Sequence, residues 1–205
     1  MAEGGGGRGR ASGIILAAGS SSRLGRPKQL LDLAGKPVLQ HVIETLSRSP
    51  VDEIVVVIGH QAVDVATAVG GTGVRVAVNP DYRTGQSTSL RTGLEATGDE
   101  SRAAVIVLGD QPGLRAEAVS AVVRAWRKGG ALAVQAAYTG VPGHPVLFDR
   151  SIWPELAQAE GDEGAKSILE NHPEWRTLVE VGGSPPPDID TEEDYERIRE
   201  SFEGV

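Results

Sequence analysis

Residues 16–28 read LAAGSSSRLGRPK, a Gly- and Ser-rich segment that carries positive charge towards its end. It continues from the apolar run at residues 13–18, which has the composition of a short buried strand. Open α/β sheets bind their ligands beyond the carboxyl ends of such strands. Small residues there let backbone N–H groups approach phosphate oxygens, and Arg23 and Lys28 add a planar fork and a point charge. The segment predicts an α/β fold with a phosphate loop after its first strand.

The rest of the chain alternates between strand-like and helix-like segments. The strand-like runs are residues 54–58, 74–78, 104–108, 131–136, 146–148 and 177–181, and the helix-like segments are residues 38–46, 62–69, 87–96, 116–126, 162–170 and 191–202. This alternation predicts a Rossmann-like, three-layer α/β/α architecture with a mostly parallel sheet. Residues 139–145 are dense in Gly and Pro and predict turns instead of a regular element. We expect residues 1–12 to be a disordered N-terminal tail and residues 13–205 to be one domain.

Composition excludes several functional classes. The 205 residues include no cysteine, which removes disulfides, thiolate zinc sites and a cysteine nucleophile. No apolar run approaches the length of a membrane helix, and the Gly- and Arg-rich start lacks the apolar stretch of a secretory signal. A net charge of −8 disfavours general nucleic-acid binding. We therefore expect a cytoplasmic protein that binds neither nucleic acid nor membranes.

The phosphate loop matches neither of the two best-known nucleotide-binding motifs. Five residues separate Gly19 from Gly25, and Arg26 follows, whereas a P-loop has four residues and then Gly-Lys-Ser/Thr. The dinucleotide pattern G-x-G-x-x-G is also missing after the first strand. From the residues alone, a flexible βα loop with incidental charges stays open as an alternative.

Acidic residues follow two of the later segments. Asp110 comes directly after a buried run, where a carboxylate is a good magnesium ligand shared with phosphates, or else an ordinary helix cap. Asp188 and Asp190 stand before the last helix, where acids suit N-terminal capping of that helix. The sequence separation between Asp110 and Asp190 does not show whether they converge.

Two further segments carry candidate polar contacts. In residues 79–91, Ser and Thr hydroxyls at a helix start suit a base or ribose, or else cap that helix. His144, in a Gly- and Pro-rich segment, suits a hydrogen bond to a ligand or a purely structural role.

The phosphate loop resembles the signature of the MobA-like nucleotidyltransferases, roughly L-A-[AG]-G-x-S-x-R-M-G-x-x-K. Leu24 replaces the usual Met, a near-isosteric apolar change. Residues 29–31 and 35–37 also match the family. The resemblance extends from about residue 13 to residue 195 and implies the nucleotidyltransferase (GT-A-like) fold.

The resemblance also implies roles for individual residues. The implied nucleotide contacts are Leu16, Ala17, Ala18, Gly19, Arg23, Lys28, Asn79, Ser87 and Ser89. Arg23, Lys28 and Asp110 would be catalytic, and Asp110 and Asp190 would bind Mg²⁺. Gln111 and His144 would lie on the acceptor side.

Within the family, the Asp110-Gln-Pro triplet is more similar to the molybdenum cofactor cytidylyltransferases than to the guanylyltransferases. The implied reaction transfers CMP from CTP to the terminal phosphate of molybdopterin and releases pyrophosphate, followed by transient contact with a molybdoenzyme or its chaperone. Open alternatives are a guanylyltransferase for the same cofactor, transfer to another phosphorylated small molecule, and a non-catalytic cofactor carrier or nucleotide-binding protein. An NAD(P)-dependent oxidoreductase follows from the fold alone, and the missing glycine motif counts against it.

Overall fold

A computed structural model describes residues 9–21, 23–162 and 164–203. The strands are β1 (Arg10–Ala17), β2 (Asp32–Leu33), β3 (Lys36–Pro37), β4 (Glu53–Ile58), β5 (Arg75–Val78), β6 (Ser101–Leu108), β7 (Ala133–Tyr138), β8 (Val141–Asp149) and β9 (Arg176–Glu180). The helices are α1 (Val38–Ser47), α2 (Ala62–Ala68), α3 (Gln86–Glu95), α4 (Ala116–Arg127), α5 (Trp153–Leu156), α6 (Lys166–Asn171) and α7 (Glu192–Glu203). None of the helices in this described part of the chain is long and apolar enough to cross a membrane.

The main sheet has seven strands in the order β5-β4-β1-β6-β8-β7-β9. β1 pairs in parallel with β4 and β6, β4 with β5, and β7 with β9, whereas β8 is antiparallel to β6 and β7. β2 and β3 form a separate small hairpin. The mostly parallel sheet predicted from the sequence is confirmed, and its central strands β1 and β6 end side by side.

Helices cover both faces of this sheet. Successive strand residues point to opposite faces, so Ile14 packs on one side and Ile15 on the other. The side of Ile15 holds α1, α2 and α4, and the side of Ile14 holds α3, α5 and α6. The apolar runs are near-continuous because the strands are buried on both faces. The three-layer architecture is therefore confirmed.

The start of the domain differs from the prediction. β1 begins at Arg10, and Ala11 and Ser12 are buried, although the tail was expected to reach residue 12. The backbone N–H of Ala11 donates to Asp52 Oδ2 at 2.8 Å, and Ser12 Oγ donates to Glu53 Oε1 at 2.6 Å. Because these two side chains at the start of β4 hold Ala11 and Ser12, strand β1 begins before its apolar part. Residues 1–8 of the expected tail lie outside the described residues.

The turns expected at residues 139–145 are largely wrong, because residues 141–145 belong to strand β8. The turn itself is confined to Thr139 and Gly140, whose φ angles of 52° and 82° are those of a tight hairpin. The register of β7 and β8 shifts between Gln135 and Ala136, which leaves Pro145 in a bulge. A proline is tolerated there because a bulge needs no ladder hydrogen bond from it.

Helix α7 forms a small third core with the β2–β3 hairpin. Tyr195 and Ile198 pack against Leu33 and Ile189, and Tyr195 Oη donates to the carbonyl of Asp32 at 2.6 Å. This packing carries the segment before α7 across the end of the sheet. It thereby brings the carboxyl-terminal acids to the phosphate loop.

Candidate active site

The ammonium group of Lys28 lies between two carboxylates. Its Nζ contacts Asp110 Oδ2 and donates to Asp190 Oδ1 at 3.0 Å. Arg23 Nη1 lies 3.7 Å from Asp190 Oδ2. The backbone N–H of Ile189 donates to the carbonyl of Asp110 at 3.2 Å, which ties the two acidic segments together. Four residues that the sequence singled out separately therefore form one cluster at the ends of β1 and β6.

The charges in this cluster shift two ionisation equilibria. Burial alone would lower the pKa of Lys28, but the charges and hydrogen bonds of Asp110 and Asp190 outweigh it and raise that pKa. Lys28 is therefore charged at neutral pH, and the stability it contributes is lost only as pH rises above its usual pKa of about 10.4. Burial and the charge of Asp110 raise the pKa of Asp188.

Hydrogen bonds from two side chains fix the conformation of the phosphate loop. Gln29 is buried, and its Nε2 donates to the carbonyl of Ala17 at 3.1 Å. Ser21 Oγ accepts the backbone N–H of Lys28 at 3.1 Å. Arg26 is turned away from the cluster and pairs with Glu192 of α7 at 2.6 Å. The loop is thus anchored at both ends, while Gly19 between them stays exposed.

The acidic pair is chemically suited to a divalent cation shared with phosphates. Asp110 and Asp190 already share one positive charge, that of Lys28, and the side chain of Asp190 is 49% exposed. Within the described residues there is no group of three or more His, Cys, Asp or Glu side chains arranged to hold a metal. Mg²⁺ typically takes one or two carboxylates and completes its shell with phosphates and water. Two acids beside a phosphate loop fit that pattern.

A cavity of about 370 Å³ opens beside the phosphate loop. Of the predicted nucleotide contacts, Leu16, Ala18, Gly19 and Ser89 line it. The other lining residues are Ser20, Tyr82, Arg83, Gln86 and Asp162. Sequence reasoning missed Tyr82 and Arg83, although an aromatic and a cation in a loop before a helix were available as signals.

Asn79 and Ser87 are buried and do not line that cavity. Asn79 Nδ2 donates to Thr88 Oγ1 and Ser89 Oγ, both at 2.9 Å, and its Oδ1 accepts the backbone N–H of Asp81. Asn79 therefore positions Ser89 through a buried hydrogen bond. Direct contact of Asn79 and Ser87 with a nucleotide stays a prediction.

We expect Asn79→Ala to destabilise the fold by about 1–3 kcal/mol, because it removes hydrogen bonds in a buried position. Urea unfolding at neutral pH measures this change. The matched control is Asn171→Ala, whose side chain is exposed at the end of α6. Equal stability of both variants would show that the hydrogen bonds of Asn79 do not stabilise the fold.

The loop after α5 is packed closely onto the start of α3. Gly85 has a φ of 123°, and a Cβ there would lie 2.3 Å from the carbonyl carbon of Gly161. The backbone N–H of Ser87 donates to the carbonyl of Gly161 at 3.1 Å. This contact holds Asp162 at the boundary between the cavity beside the phosphate loop and a larger neighbour.

The neighbouring cavity has a volume of about 680 Å³ and meets the first at Leu16, Gln86 and Asp162. His144 lines it, and its acceptor-side role stays a prediction. Its Nδ1 lies 3.3 Å from the carbonyl of Ile106, and since a carbonyl only accepts, Nδ1 carries the proton. Burial lowers the pKa of His144, which keeps the ring neutral.

Gln111 lies outside both cavities. It is buried, and its Nε2 donates to Asp188 Oδ1 at 2.8 Å. This bond links the end of β6 to the segment that carries Asp190. The geometry gives Gln111 a positioning contact in the acidic cluster, while an acceptor-side role stays a prediction.

A Rossmann-like domain with a basic loop and paired carboxylates at its strand ends has the arrangement of a nucleotidyltransferase. Residues 13–176 match the family model described as the MobA-like NTP transferase domain. The chain belongs to this family.

Relatives extend the comparison over nearly the full length. The chain is 31% identical to the nicotine blue oxidoreductase of Paenarthrobacter nicotinovorans over 197 residues, which covers 91% of this chain and 95% of that protein. It superposes with a TM-score of 0.87 on the Rv0371c homologue from Mycobacterium sp. strain JC1, at 32% identity, covering 96% and 98% of the two chains. Rv0371c of Mycobacterium tuberculosis, solved as a complex with manganese, gives a TM-score of 0.82 at 29% identity, covering 94% and 99%.

Proposed function

We propose that this protein transfers CMP from CTP to the terminal phosphate of molybdopterin and releases pyrophosphate. The observation that carries the proposal is the placement of Lys28 between Asp110 and Asp190, beside the exposed Gly19 loop. A larger cavity adjoins the cavity beside this loop at Leu16, Gln86 and Asp162 and offers room for an acceptor. The choice of CTP rests on the resemblance of the Asp110-Gln-Pro triplet to the cytidylyltransferases.

The chain's own residues would act by binding and charge stabilisation. In the proposed step a bond forms between an acceptor phosphate oxygen and the α-phosphorus, while the bond from that phosphorus to the β-phosphate oxygen breaks. Lys28 and Arg23 would stabilise the negative charge that develops on the phosphates. An acceptor phosphate is already ionised near neutral pH, so no residue is required as a general base. A divalent cation held by Asp110 and Asp190 would neutralise further phosphate charge.

Several finer points belong to the proposal. Magnesium is the proposed metal, and the manganese complex of the mycobacterial relative supports a divalent cation of this kind. The proposed site of action is the cytoplasm, and a molybdoenzyme or its chaperone would receive the product by transient contact. These points rest on the family resemblance.

A second candidate is an oxidoreductase activity, favoured by the relative named nicotine blue oxidoreductase. That relative matches 91% of the chain, so its activity is a specific competitor to nucleotide transfer. The loop after β1 lacks the G-x-G-x-x-G pattern of dinucleotide binding. The acidic pair around Lys28 also has no evident use in hydride transfer.

One incubation separates the two candidates. The protein is supplied with α-³²P-labelled CTP, molybdopterin and magnesium, and parallel samples contain α-³²P-labelled GTP or NADPH instead of CTP. We expect label to enter the acceptor in step with pyrophosphate release, and only with CTP. Label transfer from GTP would keep the family reaction and change the base. Oxidation of NADPH in its sample, together with no pyrophosphate release in the CTP and GTP samples, would replace the proposal with the oxidoreductase.

A further inference from the structure

The larger cavity has two apolar walls that face one another. Strand β8 contributes Val146 and Phe148 to one wall, with Ile106 beside Val146 in the register of β6 and β8. Leu90 of α3 and Leu169 of α6 form the opposite wall. A flat ring between such walls buries both of its faces, which is favourable in proportion to the apolar area removed from water.

Two hydrogen-bond acceptors stand on the sheet side of this cavity. Gln135 pairs with Val146 in the register of β7 and β8, and its Oε1 is buried without a hydrogen-bond partner in the described part of the chain. His144 lies in the adjoining bulge of β8 and lines the same cavity as Val146 and Gln135. Its proton is on Nδ1, so Nε2 is left as an acceptor. A buried acceptor without a partner is costly, and a ligand that donates to it removes the cost.

The charged residues of the cavity argue against an anion in its interior. Lys166 and Arg176 line it together with Asp162 and Glu170, so the formal charges balance. Lys166 Nζ also lies 3.8 Å from Glu170 Oε1. The cavity therefore offers no net positive charge to an anionic group of the ligand. Such a group would lie towards Lys28 and Arg23 instead.

We infer that the cavity binds the neutral head of the acceptor, a flat nitrogen heterocycle whose buried edge donates hydrogen bonds to Gln135 Oε1 and His144 Nε2. This inference rests on the proposed function, because it describes the second substrate of the same site. Gln135 becomes a specificity-determining residue that sequence reasoning missed. The available signal was a polar side chain within an otherwise apolar strand.

The test uses 6-hydroxymethylpterin, a fluorescent heterocycle with N–H donors, and its 2-dimethylamino analogue, which lacks the exocyclic donors. Binding to the full-length protein is measured by fluorescence titration without nucleotide. We expect the pterin to bind the wild-type protein at least about tenfold more tightly than the dimethylated analogue. We expect Gln135→Met to weaken pterin binding by a similar factor and to remove the preference between the two compounds.

Two further variants separate a specific contact from a structural effect. Gln135→Glu keeps an acceptor oxygen at the same place, so we expect it to retain the preference for the pterin. Gln158→Met makes the same change at an exposed position of the surface and should leave binding unchanged. Thermal stabilisation of Gln135→Met by CTP should equal that of the wild-type protein, because Gln135 does not line the cavity beside the phosphate loop.

The outcomes distinguish this inference from the proposed function. Equal binding of the two compounds, unchanged binding by Gln135→Met, or no saturable binding of the pterin would overturn the inference. Donor-dependent binding without any CMP transfer would support the inference and overturn the proposed function. CMP transfer with an acceptor affinity that Gln135→Met does not change would keep the function and overturn the inference.

Discussion

Replacing Lys28 by alanine is expected to lower kcat/KM for nucleotide transfer by about a hundredfold to a thousandfold, the usual cost of one lost charge contact to a transition state. In the resting protein Lys28 is the cation shared by Asp110 and Asp190. With a triphosphate bound, the same ammonium group would stabilise the charge that develops on the phosphates. Steady-state kinetics with CTP and the acceptor measure the effect.

The matched control for this variant is Lys128→Ala. Lys128 is exposed at the end of α4, on a different part of the surface, and its loss should leave kcat/KM unchanged. Circular dichroism and urea unfolding of Lys28→Ala establish that the fold is intact. An unchanged kcat/KM in folded Lys28→Ala would show that Lys28 does not contact the reacting phosphates.

The second large effect is expected for Asp110→Asn, which keeps the shape of the side chain and removes its charge. We expect turnover to fall on the order of a thousandfold or more, because a metal-binding carboxylate supports several kcal/mol of charge stabilisation. Binding of Mn²⁺ in the presence of CTP, followed by electron paramagnetic resonance, should weaken in parallel. Asp110→Asn also removes the charge that contributes most to holding up the pKa of Lys28.

Asp64→Asn provides the control for the loss of a carboxylate. Asp64 is exposed on α2 and lines neither cavity, so its variant should keep full turnover and Mn²⁺ binding. Near-normal activity of Asp110→Asn with magnesium would reject the metal assignment. A loss of turnover with unchanged Mn²⁺ binding would instead limit Asp110 to positioning Lys28.

Much of the fold could be predicted from the sequence because strand and helix periodicities are local. The alternation of buried runs and amphipathic segments gave the three-layer architecture and the position of the phosphate loop. Only residues 146–148 of strand β8 were predicted, since Pro142 and Pro145 disfavour a regular strand locally. Pairing with β6 and β7 overrides that preference, and pairing partners far along the chain are not visible in a local pattern.

The sequence predicts which types of residue belong to the candidate site. It does not predict which of these residues lie together. Asp110 and Asp190 were identified separately, and their meeting at Lys28 depends on the packing of α7 against the β2–β3 hairpin. Asn79 shows a different limit, because an amide suits a ligand and a structural hydrogen bond equally well, and here its groups are taken by Asp81, Thr88 and Ser89. Gln135 was overlooked because only the packing shows that it lines a cavity and that its oxygen lacks a partner among the described residues.

Thermal unfolding of the purified protein with CTP, GTP, ATP, UTP or NADPH, each with and without magnesium, tests the central claim most directly. With every ligand at one concentration, a hundred times the Kd of CTP, we expect CTP with magnesium to raise Tm by about 5 °C or more, and each of the others to raise it less. Asp110→Asn should lose the magnesium-dependent part of that shift. Stabilisation by NADPH and by no nucleoside triphosphate would contradict the account.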